Sequence, residues 1–304
     1  MEPTSPRHRD DAAVAFLGLG AMGAAMSSRL ADEGFAVSVW NRSDGPAAEL
    51  AQRDGIQVVS GPAEAFASAD VVHSMLANDA AVLAVFDDAL LDAAPAGRVH
   101  VNHATVAPQT ASTLAERHAR HGVGYVSAPV LGRSTIAGTG ALLVVASGET
   151  ASVERALPSL EALGQRVWNL GTDARLAPVV KIAVNYSLIS AMQSMAESVT
   201  LVEAAGIDSG TFIEVLTHTA FSGSAHRGYG PIIAEKRYEP VGFAMALGLK
   251  DLGLAEGTAA DLGVELPVAP VLHELFEAAL ADPALRELDW SAVAEITRRR
   301  SGRG

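Results

Sequence analysis

Residues 14–30 read VAFLGLGAMGAAMSSRL, and the glycines in this stretch stand where an apolar, strand-like run turns into a helical one. In the pattern G-x-G-x-x-G, the first glycine permits a tight turn and the second lets the backbone approach a pyrophosphate. The third allows the helix to pack closely on the strand. The helix N-terminus then offers N–H groups and a partial positive charge to phosphate. The stretch therefore predicts a dinucleotide site formed by Gly18, Leu19, Gly20, Ala21, Met22 and Gly23.

The remainder of the first half alternates β-rich runs with Ala-rich helical stretches, which is typical of a parallel, doubly wound sheet. The runs are AVSVWNR, DVVHSML, RVHVNHA and GVGYVSAPV, and we expect ALLVVASG and QRVWNLG to extend the sheet. From about Gly171 onward the strand signals stop. An apolar pattern over 174–205, ended by Gly206, predicts one long helix. Further helices are predicted around 209–219, 228–237, 242–262, 268–281 and 290–300.

These patterns predict an α/β fold in which a Rossmann-type domain precedes a long interdomain helix and an all-helical domain. We place a disordered tail at 1–11, the nucleotide-binding domain at 12–171, and the long helix with the helical domain at 172–300. The basic end RRRSGRG is expected to be a solvated, frayed terminus.

Composition excludes several classes of protein. Of 304 residues, 49% are hydrophobic and none is cysteine, so disulfides, thiolate zinc sites and cysteine nucleophiles are ruled out. The absence of cysteine also fits a reducing cytoplasm. A net charge of -13 argues against a nucleic-acid partner. No apolar run reaches the roughly 18 residues of a membrane span. The histidines lack paired metal spacing, so no metal is expected, and His118 and His121 are predicted to lie on a helix surface.

The end of the second strand indicates which dinucleotide binds. An NAD enzyme places Asp or Glu there to bond the ribose 2′-hydroxyl. Here Asn41, Arg42 and Ser43 occupy the position, and Asp44 arrives late. The Arg42 guanidinium can pair with a 2′-phosphate, although a solvated surface arginine is the alternative interpretation. The pattern favours NADP(H) over NAD.

The stretch PVVKIAVNYSLIS, residues 178–190, holds Lys181 and Asn185 among apolar neighbours. Residues four apart share one helix face. A lysine beside a cofactor domain can protonate the alkoxide that forms when hydride reaches a carbonyl, and partial burial lowers its pKa toward the working pH. Asn185 can then hold the substrate oxygen or orient the lysine. The spacing alone is equally compatible with a snorkelling lysine on an amphipathic helix.

Several motifs together resemble the β-hydroxyacid dehydrogenase family, which includes 3-hydroxyisobutyrate dehydrogenase and tartronate semialdehyde reductase. They are GLGAMG, SML, ATVAP, SAPVLG, KIAVN and FAMALGLKDLGLA. The resemblance implies that Lys181 is the general acid/base and Asn185 its partner. It also implies that Leu76, Ala77 and Thr105 line the cofactor and that Lys250 approaches the nicotinamide end.

The expected substrate loop, SAPVLGRSTIAGTGAL, departs from the family pattern. Leu131 stands where the family has serine, Gly132 is retained, and Arg133 follows. A guanidinium is a good bidentate clamp for a carboxylate or a sulfonate, as in a similar sulfolactaldehyde reductase branch, whereas an exposed loop arginine is the alternative. Val184 replaces an asparagine of the family and indicates a less polar pocket.

The leading hypothesis is an NADP(H)-dependent oxidoreductase that interconverts a small β-hydroxy acid, or a similar alcohol, and its aldehyde or ketone. An imine reductase and a non-catalytic NADP-binding protein remain alternatives, and Lys181 argues against both. Because the long helix is apolar on most faces, a second copy is expected to cover it. The sequence therefore predicts a homodimer that acts on a small molecule.

Overall fold

The computed structural model describes residues 13–303, and these residues form two compact units. The first unit ends at Lys181 and the second begins at Ile182. The predicted tail at 1–11 lies outside the described residues.

The first unit carries a nine-stranded sheet in the order β3-β2-β1-β4-β5-β6-β8-β7, with β9 beside β8. Strands β1 to β6 pair in parallel where they are neighbours, whereas β8 runs antiparallel to β6 and β7. The predicted doubly wound sheet is thus confirmed, and its last part is mixed. The strands are Ala13–Leu17, Ala36–Trp40, Ile56–Val58, Val71–Ser74, Val99–Asn102, Gly124–Ser127, Val130–Leu131, Leu142–Gly148 and Gly164–Asn169, numbered β1 to β9.

Eight helices of the first unit cover the two faces of this sheet. They are Ala21–Asp32, Asp44–Leu50, Pro62–Ser68, Asp79–Val85, Asp88–Ala93, Pro108–Arg120, Ser134–Ala137 and Thr150–Leu163, numbered α1 to α8. Side chains alternate along β1, so Phe16 enters one apolar core while Ala15 and Leu17 enter the other. Leu17 pairs with Ser74, so β1 and β4 end side by side. The strand order reverses at β1, and open α/β sheets bind their ligands at such a point.

The long helix α9, Leu176–Ala204, begins in the first unit and continues into the second. It is followed by α10 to α13, a short 3₁₀ helix and α14. Their bounds are Ser209–Thr217, Ser224–Glu235, Met245–Leu262, Ala269–Ala281, Trp290–Val293 and Ala294–Arg300. Every predicted helix is present, but α11 begins four residues earlier than the predicted 228. Between residues 13 and 303, no helix combines the length and the apolar character needed to cross a bilayer.

The basic C-terminal segment is not simply the solvated terminus that its composition predicts. Arg298 is only 1% exposed. Its guanidinium donates to both carboxylate oxygens of Glu203 at 3.0 and 3.1 Å and to the Ile233 carbonyl at 2.8 Å. A buried charge with this many partners has its desolvation compensated. Arg298 therefore fixes α14 to α9 and α11, and the prediction was wrong for this residue.

Candidate active site

The turn after β1 requires glycine at position 18. Gly18 has a φ of +92°, and a Cβ atom there would lie 2.5 Å from the Met75 carbonyl oxygen and 2.7 Å from Leu76 Cδ2. Such contacts exclude any larger residue, since the nearer atom, the Met75 carbonyl oxygen, belongs to the backbone and cannot move aside. The turn consequently packs directly on the segment that follows β4, and this contact places the predicted cofactor residue Leu76 beside the glycine motif.

Gly20 and Gly23 determine the space around the start of α1. A Cβ atom on Gly23 would lie 1.9 Å from the Gly18 carbonyl oxygen, so the helix approaches the turn as closely as glycine allows. At Gly20, in contrast, a Cβ atom would meet nothing within 4 Å in the described part of the chain. Among residues 13–303, no side chain caps this helix. The exposed N–H groups of its first turn, which includes Ala21 and Met22, therefore fit a pyrophosphate.

Asn41 holds the turn in place. Its Oδ1 accepts the Leu19 N–H at 3.0 Å, and its Nδ2 donates to the backbone oxygen and hydroxyl of Ser43 at 3.0 and 2.9 Å. Arg42 between them is exposed. A cleft of about 530 Å³ lies alongside and is lined by Trp40, Asn41, Asp44 and Val58, among others. Its lining combines apolar side chains, such as Trp40 and Val58, with polar ones, such as Asn41, and this mixture suits an adenosine group.

A row of hydrogen-bonded, buried polar side chains lies next to the ends of β4 and β5. His103 Nδ1 donates to the Ala128 carbonyl at 2.7 Å, and its Nε2 lies 2.9 Å from His73 Nδ1. His73 Nε2 lies 3.0 Å from the hydroxyl of Ser159 on α8. The two imidazole rings are nearly parallel to each other and to the ring of Phe16. We call His73 and His103 the first histidine pair.

A second histidine pair, His100 and His118, lies on the opposite face of the sheet. His100 Nδ1 lies 2.9 Å from His118 Nε2, and His118 Nδ1 donates to the Leu114 carbonyl at 2.7 Å. His100 Nε2 lies 2.8 Å from the Ser74 hydroxyl. His118 is fully buried, so the prediction that it lies on a helix surface was wrong. His121 is half-buried, and its ring nitrogens bond Asp92 and Asp88 at 2.8 and 2.9 Å.

Burial keeps all four of these histidines uncharged. It lowers the pKa of His103 and of His118 to about 4. The pKa of His73 and of His100 falls well below 6.5, through burial first and the neighbouring histidines second. A carbonyl only accepts, so a neutral His103 carries its proton on Nδ1 and accepts at Nε2. His73 then donates from Nδ1 to His103, and its Nε2 lies 3.0 Å from the Ser159 hydroxyl, which also lies 2.8 Å from the Ala156 carbonyl.

The predicted substrate residues Leu131, Gly132 and Arg133 come a few residues after Ala128 in the chain. Leu131 closes β7, whose Val130 pairs with Val144 of β8. Gly132 has a φ of +143°, and a Cβ atom there would lie 2.7 Å from side-chain atoms of Ile136 and Leu142. Arg133 is half-buried and precedes α7. Ala77 and Thr105 follow β4 and β5, so every predicted cofactor residue of this unit follows the carboxyl end of a strand.

In the second unit, a carboxylate that sequence reasoning did not assign connects two predicted site residues. Asn185 is 5% exposed, and its Nδ2 donates to Oδ2 of Asp251 at 2.6 Å. Lys250 Nζ lies 2.9 Å from Oδ1 of the same carboxylate, which is itself 2% exposed. The only signal in the sequence was the position of Asp251, directly after Lys250 in GLKDLG. Asp251 therefore orients the Asn185 amide and balances the Lys250 charge.

Lys181 lies on α9 and is half-buried. It precedes Asn185 by four residues, so both side chains leave the helix on one face. Val184 between them is 40% exposed. Within residues 13–303, no three His, Asp or Glu side chains cluster in a way that could hold a metal ion.

A glycine turn at the switch point of a doubly wound sheet, with an uncapped helix start, defines a dinucleotide-binding unit. Together with a half-buried lysine on the following helix, it indicates the class of NAD(P)-dependent dehydrogenases.

Comparison with known proteins agrees with this class. The family model for the NAD binding domain of 6-phosphogluconate dehydrogenase matches residues 13–171. The model for the NAD-binding domain of NADP-dependent 3-hydroxyisobutyrate dehydrogenase matches residues 177–297. An uncharacterised oxidoreductase of Bacillus subtilis is 32% identical over 92% of this chain and 98% of the relative. Glyoxylate/succinic semialdehyde reductase 1 of Arabidopsis thaliana is 32% identical over 94% of this chain and 98% of the relative.

Solved structures show the same relationship. The 3-hydroxyisobutyrate dehydrogenase of Mycobacterium tuberculosis with L-serine has a TM-score of 0.85 at 28% identity. The alignment covers 94% of this chain and 99% of that one. The chain therefore belongs to the β-hydroxyacid dehydrogenase family and is an NAD(P)-dependent oxidoreductase.

Proposed function

We propose that this protein is an NADP(H)-dependent reductase that interconverts a small β-hydroxy acid, or a similar alcohol, and its aldehyde or ketone. The observation that carries the proposal is half-buried Lys181, one helical turn before Asn185, whose amide is fixed by buried Asp251. When bound, the nicotinamide cofactor supplies or accepts the hydride.

In this proposal Lys181 moves the proton. Its ammonium donates to the oxygen that gains negative charge during reduction, and its amine accepts that proton in the reverse direction. Asn185 uses one N–H on Asp251, at 2.6 Å, which leaves the second N–H and the amide oxygen to act elsewhere. These groups hold the substrate oxygen within reach of Lys181. Asp251 acts through Asn185 as a positioning residue.

The cofactor preference rests on the residues after β2. Asn41 is already engaged with Leu19 and Ser43, and no acid stands at its position to bond a ribose 2′-hydroxyl. Exposed Arg42 is then the group that binds a 2′-phosphate. A guanidinium matches phosphate geometry through two parallel hydrogen bonds.

Replacing Arg42 by alanine should weaken NADPH binding by about 1.5–3 kcal/mol, the range for a hydrogen bond to a charged group, and should leave NADH nearly unaffected. Binding titrations with both cofactors measure the difference. Arg53→Ala is the matched control, because Arg53 is an exposed arginine of the same unit that bonds Asp32 at 2.7 Å. Equal losses of NADPH and NADH affinity in Arg42→Ala would show that Arg42 does not bind the 2′-phosphate.

The substrate is proposed to be a small anion with a carbonyl group. Arg133, beside the tight turn at Gly132, is the residue that would grip a carboxylate or a sulfonate. Leu131 and Val184 make the surroundings apolar. The Arabidopsis relative is named for glyoxylate and succinic semialdehyde, both of which carry a carboxylate.

The decisive experiment is an NADPH-oxidation screen with succinic semialdehyde, glyoxylate, 3-oxo acids, sulfolactaldehyde and cyclic imines. Turnover of an anionic carbonyl compound is expected. Turnover confined to cyclic imines would replace the proposal by an imine reductase. Tight NADPH binding without turnover of any compound would indicate a non-catalytic NADP-binding protein.

The second unit is also proposed to form a homodimer. In the described chain, eleven of the fourteen exposed large hydrophobic residues belong to this unit, and Leu201 on α9 is 71% exposed. One face of α9 packs into the core through Ile189, Met192 and Val199. The other carries exposed Ser187, Ser194 and Leu201, and its small residues permit close approach of another helix.

A chain with Leu201→Asp should be monomeric at concentrations where the parent chain is a dimer, because a charge cannot be buried unpaired in an apolar interface. Light scattering after gel filtration at low micromolar concentration gives the mass. Thr113→Asp adds the same charge at an exposed position of α6 and should not change the mass. A parent chain that is monomeric and fully active would refute the dimer.

A further inference from the structure

The first histidine pair connects the two loops that the proposed function uses. His103 directly precedes the loop with Thr105, and its ring bonds the carbonyl oxygen of Ala128. The Ala128 N–H in turn donates to the Asn102 carbonyl at 2.8 Å. Both backbone groups of Ala128 are therefore held by the end of β5. Ala128 begins the segment 128–133, which contains the predicted substrate residues.

The carbonyl of Ala128 depends strongly on this bond. Ala128 is fully buried, so water does not reach it. A buried carbonyl that loses its donor costs about 1–3 kcal/mol. The segment can avoid that cost only by moving until its carbonyl meets water. The hydrogen bond from His103 thus opposes displacement of the segment.

His73 holds the ring of His103 in the orientation that this bond needs. The 2.9 Å contact between His73 Nδ1 and His103 Nε2 fixes the plane of the ring, and the stacking on Phe16 fixes its tilt. Phe16 also lies under the glycine turn, since a Cβ atom on Gly23 would be 3.1 Å from its ring. The same cluster therefore contacts the elements proposed to hold cofactor and substrate.

We propose that His103, held by His73, is a positioning residue that fixes the segment 128–133 relative to the cofactor loop after β5. The kinetic part of this proposal rests on the proposed function, because it assigns the substrate to that segment. The structural part does not depend on it.

The second histidine pair provides the matched control. His118 is equally buried, and its Nδ1 makes the same kind of bond at the same 2.7 Å, but its acceptor is Leu114 within α6. His118→Leu therefore removes a comparable buried bond without touching 128–133. For His103, leucine removes the donor, whereas asparagine places its amide nitrogen near the position of Nδ1 and keeps it. His103→Gln, whose amide nitrogen lies nearer the position of Nε2, is a second donor-loss variant if leucine prevents folding.

Hydrogen–deuterium exchange at pH 7.5 tests the structural part without any substrate. In His103→Leu or His103→Gln, peptides covering 128–140 should exchange about tenfold faster or more, as the loss of a buried hydrogen bond allows. His103→Asn should restore most of the protection. In His118→Leu the faster exchange should appear in α6 instead. Equal exchange of 128–140 in the His103 and His118 variants would overturn the proposal.

Kinetics with NADPH and succinic semialdehyde test the consequence. The donor-loss variants should raise KM for the aldehyde about tenfold, with NADPH affinity unchanged, since only the substrate segment is displaced. His118→Leu should leave KM within about twofold, and His103→Asn should recover most of the loss. A parent chain inactive on this aldehyde would count against the proposed substrate, while the exchange result would still decide the role of His103. An unchanged KM in active donor-loss variants would refute the positioning of substrate.

Discussion

Replacing Lys181 by alanine is expected to lower kcat by about 10²-fold or more, the contribution of a general acid, while NADPH binding stays nearly unchanged. The reason is that the oxygen of the carbonyl gains charge as hydride arrives, and the proposal assigns its proton to the Lys181 ammonium. The effect should fall on kcat and kcat/KM together, because the interaction is made in the transition state. Steady-state kinetics with NADPH and the best aldehyde of the screen measure it.

One further variant and one rescue experiment separate acid catalysis from charge. Lys181→Arg keeps a positive charge but gives up its proton only above about pH 12, so it should remain nearly as inactive as the alanine variant. Added ethylamine should partly restore the alanine variant, since a small ammonium fits where the side chain was removed. Near-normal turnover in Lys181→Ala would remove this lysine from the mechanism.

The features that could be predicted from the sequence are those set by local pattern. The glycine motif fixes its own turn through sterics, so Gly18 and Gly23 occupy the predicted geometry. The alternation of strand-like and helical runs predicted the sheet, and the long apolar run predicted α9, because these patterns are also local in the sequence. The strand Ile56–Val58 was missed because it has only three residues and two of them are exposed.

The features that could not be predicted depend on partners distant in sequence. Arg298 reads as part of a basic tail, and only the folded chain brings Glu203 to it. His118 reads as a helix-surface residue, and its burial depends on His100 from another element. Asp251 gains its importance from Asn185, which lies 66 residues away. A buried polar residue needs a partner, but the sequence does not say which residue supplies it.

The four buried histidines lead to the largest expected effect on stability. Each binds a proton near pH 6.5 when the chain is unfolded, whereas in the folded chain the pKa of His103 and His118 is about 4 and burial lowers that of His73 and His100 well below 6.5. Between these limits the unfolded state binds more protons, so stability is complete above about pH 6.5 and falls as the pH drops. Each proton contributes about 1.4 kcal/mol per pH unit, hence about 5 kcal/mol per unit for all four near pH 5.

Other groups do not offset this loss in the same range of pH. His121 and His273 have a raised pKa, chiefly because their ring N–H groups donate hydrogen bonds to the carboxylates of Asp88 and Glu256. Their stabilisation is complete below pH 6.5 and is lost only as the pH rises through their folded pKa, so it has no slope in the acid range. The carboxylates with lowered pKa, such as Asp208 and Asp282, lose their contribution only below about pH 4. Stability should therefore be greatest near neutral pH and fall steeply on the acid side.

Because domains are stable by only about 5–15 kcal/mol, the first unit should unfold within about one to two pH units below 6.5. Urea unfolding at fixed protein concentration, repeated at half-unit steps from pH 7.5 down to the pH at which the folded state is lost, gives the slope and hence the number of protons taken up. The double variant His100→Leu/His118→Leu removes two of the titrating groups, so its slope just below pH 6.5, where both chains are still folded, should be about half that of the parent chain. That comparison tests the cause and not only the instability, since the variant loses stability at pH 7.5 but becomes less sensitive to acid. A parent chain whose stability is the same at pH 7 and pH 5 would show that the histidines stay accessible to protons in the folded state.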